Sequence, residues 1–594
     1  MKIGAAFGEH VKTERLPQRH FERNASSRSM RGYLLLIALF IAVVLLLYKL
    51  ASLELIHGDY YRSLSDSNRI RTTVIHAPRG VIFDRNGVPL VLNVPGFREI
   101  GKNDKTTFLS QEQALPLLAR GAKNLEVDSL REYPFKDAMS HVLGYIGQIS
   151  PQELSEPQYA GYQQTDFVGK EGIEAQYESM LKGTDGHKLV EVDATGKQVR
   201  VLGETDPIQG NDLTLTIDSK LQEEVSQAMQ NVKKGAAIIS TPDGQILAMV
   251  SKPSFDPNLF TMDSTYKVAS DSAYHTISQI LLDNDGQPLL NRAIGGVYPP
   301  GSTFKIVNAA AGLEDKVIDE NFSITDPGIL RIGSFSFANW YYTDYGLTEK
   351  GPLNVVRALA RSNDIFFYKL AGMLTIDKLS DMARKFGLGS ELGIDLPGEQ
   401  AGVVPTKEWK KKTFGEDWYL GDTYHYGIGQ GFLLTTPLQV NSWTQVIANG
   451  GTLYRPHVLQ TMKPEVDHSK FLSQNTVDLV RQGMIEGCST GGVAWPLFNF
   501  TVKNNNLPTS GSDFQSLPTS SGSADMRRVI LACKTGTAQH GGEDTLPHAW
   551  ITVIAPAYHP QLVITILSES SGEGSNVAGP IAKEILTKYF EGEK

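Results

Sequence analysis

A serine and a lysine three residues apart open the chemistry of this chain. They stand in Tyr298-Pro299-Pro300-Gly301-Ser302-Thr303-Phe304-Lys305. Pro299, Pro300 and Gly301 resist helix, whereas Thr303 to Leu313 reads as one, with Ile306, Val307, Ala309 and Ala310 on its apolar side. Ser302 then sits at a helix N-terminus with Lys305 one turn on, on the same face. An amine within reach of a hydroxyl, and helix amides aimed at any oxyanion, describe an activated serine nucleophile. Taken alone the spacing is weak, since a serine N-cap followed by a solvated lysine has the same letters. Two later stretches add weight. Ser362-Asn363-Asp364 opens the apolar helical run Ile365-Phe366-Phe367-Tyr368, and Lys534-Thr535-Gly536-Thr537 closes the strand-like run Val529-Ile530-Leu531-Ala532. Ser-x-x-Lys, Ser-x-Asp and Lys-Thr-Gly in that order form one recognised catalytic set.

On these motifs the chain resembles the class B penicillin-binding proteins, elongation type (penicillin-binding protein 2-like). Gly427-Ile428-Gly429-Gln430-Gly431, Thr436-Pro437-Leu438-Gln439 and Arg79-Gly80…Asp84-Arg85-Asn86-Gly87 extend the resemblance to nearly everything after the first thirty residues. It implies a D-alanyl-D-alanine transpeptidase, covalently inhibited by β-lactams. Ser302 would form the acyl-enzyme. Lys305, kept neutral by burial and by the second cation Lys534, would take its proton. Ser362 would relay a proton to the leaving amine. Asp364 stands where many relatives have Asn; its plainer reading is a helix-start acid favoured by the dipole. Thr535 with Lys534 would bind the substrate carboxylate beside Gly536, and the amides of Ser302 and Thr537 would form the oxyanion hole. No cofactor is implied. Some relatives hold a metal beside the second motif, but between His275 and His425 this chain has neither His nor Cys.

The elements that position these residues come next. The chain has 594 residues and net charge −9, enough for several domains and unlike a nucleic-acid binder. Residues 1–31 form a basic tail carrying Lys2, Lys12, Arg15, Arg19, Arg23, Arg28 and Arg31. Residues 32–53 read as a transmembrane helix, about 22 residues at about 1.5 Å each. The basic flank predicts a cytoplasmic N-terminus and a catalytic domain outside the membrane. A cleaved signal peptide is the rival reading, but the run is long and no Ala-x-Ala site follows.

Residues 54–210 carry no catalytic constellation and read as a mostly β pedestal of the dimerisation type. Arg69 to Val74 alternates as a strand, and Val81-Ile82-Phe83 and Val88 to Leu92 flank Asn86-Gly87, a hairpin signal. Arg79, Asp84 and Arg85 are expected to be a charged turn that fixes this hairpin. Phe167 to Glu174, with Tyr177 and Leu181-Lys182-Gly183, looks like the family's module boundary. The stretch from Glu99 to Arg131 is short for the head of the elongation type.

Residues 211–594 read as the transpeptidase domain. Leu213 to Ile217 alternates as a strand, Asp218 or Ser219 caps a helix, and 235–250 and 549–567 read as hairpins, with a closing helix from about Ala578 to Tyr589. About five antiparallel strands flanked by helices, with a mostly helical insertion, make an α+β fold. It matches the penicillin-binding and serine β-lactamase pattern that the resemblance implies. Lys503 to Gly522, rich in Asn, Ser, Gly, Thr and Pro, reads as a flexible, disordered excursion before the Lys-Thr-Gly strand, with a substrate-gating loop as the alternative. Cys533 is expected to pack under the sheet; a Cys488–Cys533 disulfide is permitted outside the cytoplasm but is not the expectation.

The resemblance also implies partners. A polymerising domain is not legible in the pedestal, so strands would come from a SEDS-family glycosyltransferase and other membrane proteins of the elongation complex. Rival functions are a division-type transpeptidase, a β-lactamase, an anchored β-lactam sensor and an inactive scaffold. No Glu-x-x-Leu-Asn deacylation motif follows Ser362, and Ser302, Lys305 and Lys534 all stand, against the β-lactamase and the scaffold.

Overall fold

The uncharged residues from Gly32 to Tyr48 lie within one helix, α1, which spans Arg28–Ala51. The computed structural model describes residues 28–101, 104–122, 124–193, 198–504, 506–516, 526–542 and 544–592. Most of the basic tail therefore lies outside the described residues, as do residues 505 and 517–522 of the excursion read over Lys503–Gly522. The chain divides into two units, residues 1–73 with 187–205, and residues 74–186 with 206–594.

Among the described residues of the first unit one helical stretch, Met30–Ile56, is long and apolar enough to cross a membrane. Helix α2 (Gly58–Arg69) follows, and strand β1 (Ile70–Ile75) joins a three-stranded sheet.

The second unit begins with the pedestal. Strands β2 (Ile82–Phe83), β3 (Pro89–Ile100), β4 (Thr106–Leu109) and β5 (Leu125–Glu132) pair around the hairpin read from Asn86-Gly87. Asp84 holds that turn, accepting from the amides of Asn86 and Val88 at 2.8 Å each. It also accepts from the Ser219 hydroxyl at 2.7 Å. Arg79 corrects the expectation that it belongs to the turn. It is buried and binds Glu174 and Glu178 at 2.8 Å each, while Arg131 donates to Glu174 at 2.7 Å. The pedestal is also less purely β than expected, with short helices at Gln111–Ala119, Gly172–Gln176 and Glu178–Leu181.

A parallel pairing of Leu213 with Ile82 leads into the catalytic layers. Asp218 caps helix α3 (Ser219–Ala228), accepting from the Leu221 amide. Strands β6 (Gly235–Ser240), β7 (Ile246–Lys252), β8 (Ala532–Ala538), β9 (His548–Ala555) and β10 (Leu562–Ser568) form an antiparallel sheet of order β7-β6-β10-β9-β8. Every residue of β9 and β10 is buried. Both faces of the sheet are covered, which is why these strands read as apolar runs. Ile551, Val553, Ile564 and Ile566 meet α3 and the closing helix α9 (Ala578–Glu591). Trp550, Ile554, Val563 and Leu567 face the helical layer. That layer comprises α4 (Lys305–Glu314), α5 (Val355–Ala360), α6 (Asp364–Lys385), α7 (Pro437–Ala448) and α8 (Gln474–Gly487). The α+β architecture is as expected.

Three local readings differ from the structure. The run before Lys-Thr-Gly is two strands. Met526–Val529 pairs in a small sheet with Thr501–Lys503 and Phe514–Ser516, and β8 then carries the motif in its middle. The polar letters of the motif suggest a strand end, but pairing with β9 continues from Ala532↔Ile554 to Ala538↔His548. The helix after the prolines starts as a 3-10 turn, Gly301–Phe304, before α4. Cys488 and Cys533 are joined by a disulfide, with Cα atoms 5.7 Å apart, because α8 ends directly against β8.

Candidate active site

The nucleophile turn is clamped from both sides. Tyr298 and Thr435 exchange backbone hydrogen bonds of 2.9 Å, and the Gly301 amide donates to Gly429 O at 2.9 Å. The Trp550 indole donates to Pro299 O at 3.1 Å. Gly301 and Gly429 have φ of +54° and +77°, and a Cβ on Gly429 would lie 2.1 Å from Gly301 O. A Cβ on Gly301 would lie 3.0 Å from Thr537 O, so the turn carrying Ser302 abuts β8 directly. The stretches 427–431 and 435–436 thus build the wall behind Ser302.

Lys305 opens α4 with its side chain fully buried. Its Nζ donates to Ser362 O at 2.7 Å and to Asp364 Oδ1 at 2.6 Å, and lies 3.3 Å from Ser362 Oγ. Lys534, 2% exposed, reaches in from β8 and donates to Ser362 Oγ at 2.9 Å and to Thr535 O at 2.8 Å. Ser362 Oγ therefore sits between two buried amines. Its backbone φ of +50° is costly for a serine, about 1–3 kcal/mol, and turns the chain between α5 and α6. Asn363 caps α6, accepting from the Phe366 amide at 2.9 Å. Asp364 is held on three sides: by Lys305, by the Trp340 amide on Oδ2 at 2.9 Å, and through its own amide to Asn339 Oδ1 at 3.1 Å. Thr535 is buried in β8 opposite Ile551. Gly536 lies where a Cβ would meet Pro300 O and the Trp550 Cβ at 3.0 Å each, and Thr537 is exposed.

Burial pushes the Lys305 ammonium below its usual range, and Asp364 opposes that shift. Burial and the charge of Lys305 push Lys534 well below the lysine range, against a smaller pull from Asp364. The site thus holds two desolvated amines beside one carboxylate. A neutral Lys305 has two N–H groups, and Ser362 O and Asp364 Oδ1 accept both. Its lone pair then faces Ser362 Oγ at 3.3 Å.

Of the eight residues nominated from the motifs, Lys305, Ser362, Asp364 and Lys534 form one hydrogen-bonded cluster, Thr535, Gly536 and Thr537 continue β8 beside it, and the turn carrying Ser302 abuts that strand through Gly301. Three contributors were missed. Asn308, fully buried on α4, donates to Gly427 O at 2.8 Å and ties the helix to the 427–431 wall. A lone Asn in the apolar run 306–313 was a visible signal. Asn339 and Trp340 carry none, because loop residues at irregular spacing leave no pattern.

Comparisons with known proteins show what the chain is similar to. The profile of the penicillin binding protein transpeptidase domain matches residues 234–587, and that of the penicillin-binding protein dimerisation domain matches residues 118–215. The chain is 32% identical to the peptidoglycan D,D-transpeptidase MrdA of Acinetobacter baumannii, over 93% of this chain and 86% of that relative. It resembles the penicillin-binding protein PBP2 solved in complex with MreC from Helicobacter pylori. The TM-score is 0.71 at 29% identity, covering 88% of this chain and 98% of that one. A chain from a peptidoglycan synthase complex, solved to show the coordination of polymerization and crosslinking, matches with TM-score 0.68 at 27% identity. It covers 95% of this chain and 99% of its own length. With the transpeptidase profile spanning more than half of its residues, the chain belongs to the penicillin-binding protein transpeptidase family.

Proposed function

We propose that this peptidoglycan D,D-transpeptidase works through an acyl-enzyme on Ser302 and cross-links stem peptides during cell-wall elongation. The observation that carries the reading is Ser362 Oγ between the buried amines of Lys305 and Lys534, beside the Ser302 turn. Ser302 Oγ attacks the carbonyl of the penultimate D-alanine and gives its proton to Lys305. The amides of Ser302 and Thr537 hold the oxyanion. Collapse breaks the peptide bond, and the proton passes by way of Ser362 to the departing D-alanine amine. An acceptor amine then attacks the ester carbonyl and gives up a proton to Lys305, which passes it to Ser302 Oγ as that oxygen leaves. Lys534 and Thr535 meet the terminal carboxylate of the donor, whose charge counters the desolvation that depresses Lys534. A β-lactam presents the same carboxylate and a strained amide, and leaves a stable ester.

The Met30–Ile56 span supports a membrane anchor, and the basic residues before it support a cytoplasmic N-terminus with the catalytic domain on the other side. The chain's resemblance to a member of a synthase complex supports work beside a polymerase, which we assign to the SEDS glycosyltransferase family. Depletion is expected to give rounded cells; filaments with septal localisation would place the protein in division. Intact-mass measurement after penicillin treatment tests the chemistry. An adduct on the wild type that is lost in Ser302→Ala is expected, and an adduct surviving that substitution refutes it.

A further inference from the structure

Asp326 lies in the segment between α4 and α5, outside the three motifs, and is 4% exposed. Among the described residues no cation pairs with it. It collects N–H donors instead: the Gly328 amide at 2.7 Å on Oδ1, and on Oδ2 the side-chain amides of Asn363 at 2.8 Å and Asn339 at 2.9 Å, with the Glu349 amide at 3.4 Å. Both asparagines are buried. A carboxylate, which only accepts, is suited to a point where four N–H groups converge.

Both asparagine arms end on one residue. Asn339 accepts from the Asp364 amide through Oδ1, and the next residue, Trp340, donates its amide to Asp364 Oδ2. Asn363 immediately precedes Asp364 and caps α6. The other oxygen of Asp364 takes Lys305 Nζ. We propose that Asp326 is a positioning residue for acylation, fixing through Asn339 and Asn363 the carboxylate of Asp364 that orients Lys305. This rests on the assignment of Lys305 as the base that deprotonates Ser302. An Asp326 that only closed its own loop would need Gly328 and Glu349 alone. The bonds to Asn339 and Asn363 tie it to the second motif.

The charged groups facing Lys305 are Asp364 from α6 and Lys534 from β8. Asp364 favours the protonated form of Lys305. Loosening Asp364 therefore has two effects of different kind. The amine is less well aimed, so the plateau rate of acylation falls. Its pKa also falls further, so the acid limb of the pH profile moves to lower pH. A fold that is merely weakened loses active protein and leaves the limb where it was.

The test is the second-order rate of acylation by a fluorescent penicillin across the pH range, on full-length protein in detergent, with the thermal midpoint measured in parallel. Asp326→Asn turns one acceptor oxygen into a donor facing the donors of Asn339 and Asn363. It is expected to lower the plateau about 10- to 100-fold, the scale of a small misplacement at a reacting centre, and to shift the acid limb down. The double variant Asp326→Asn/Asn339→Asp restores a donor facing an acceptor on the Asn339 arm, leaves the Asn363 arm unmatched, and is expected to recover both in part. Asn339→Ser, which removes one arm, gives the same readout if Asp326→Asn does not fold. An unshifted limb in the folded variants, or no recovery in the double variant, overturns the proposal. Labelling of the wild type but not of Ser302→Ala leaves the acyl-enzyme reading intact whatever Asp326 does. An unlabelled wild type overturns both.

Discussion

Gly429→Ala probes how far the wall behind the nucleophile governs it. Gly429 has φ +77°, and an added Cβ would sit 2.1 Å from Gly301 O and 2.9 Å from Phe304 Cβ. Ordinary carbon–oxygen contact begins near 3.4 Å, so the two segments have to part by about 1.3 Å. The backbone conformation adds about 1–2 kcal/mol for an L-residue. Gly301 is bonded to Gly429 through its amide and directly precedes Ser302, so the displacement falls on the nucleophile. A misplacement of about 1 Å at a reacting group costs about 100-fold in rate. The expected outcome is a fall of that order in the acylation rate by fluorescent penicillin, well beyond the loss of folded protein. Gly398→Ala is the matched control. Its φ is +86° with nothing within 4 Å of the added Cβ, so it carries the conformational cost without the displacement. It should lower the thermal midpoint and leave the rate alone. Acylation of Gly429→Ala within threefold of wild type, or equal losses in both variants, would refute the reasoning.

Lys305→Ala should lower the acylation rate by about two to four powers of ten, the usual worth of a general base, and stopped-flow acylation near the wild-type rate would place the base elsewhere. Glu174→Gln should cost about 3–5 kcal/mol, because Arg131 stays buried without its counter-charge and Arg79 is left with Glu178 alone. A denaturant midpoint unchanged from wild type contradicts this. His141 is buried and its imidazole is pushed down to about 4 from 6.5. Below 6.5 the unfolded chain takes up a proton that the folded chain refuses. About 3 kcal/mol of stability present above 6.5 is therefore lost as the pH falls through 4. In His141→Gln that acid loss should shrink, and an identical pH–stability curve argues against the assignment.

The motifs were legible because chemistry restricts them. A nucleophile, a base and a carboxylate binder have to be these residue types, and their order along the chain survives without any knowledge of packing. Strands β9 and β10 were legible as long apolar runs. What pairing and burial decide was not. The polar letters of Lys534 to Thr537 hid the middle of a strand, since only β9 extends it. Arg79 looked like part of a solvated turn because its acidic partners, Glu174 and Glu178, lie about a hundred residues away. Asn339 and Asp326 gave no signal, since a loop that converges on a site has no period.

The Cys488–Cys533 link closes a covalent ring around residues 489–532, which contains the excursion before β8. Closing a loop of that length removes about 4 kcal/mol of chain entropy from the unfolded state. The ring also changes what a cut or an insertion means. Residues between the cysteines can lengthen, shorten or be severed while the strand bearing Lys534 stays moored to the end of α8. A protease cut inside the excursion would leave one molecule on a non-reducing gel and two fragments on a reducing one, with Lys534 held in place until the link is reduced.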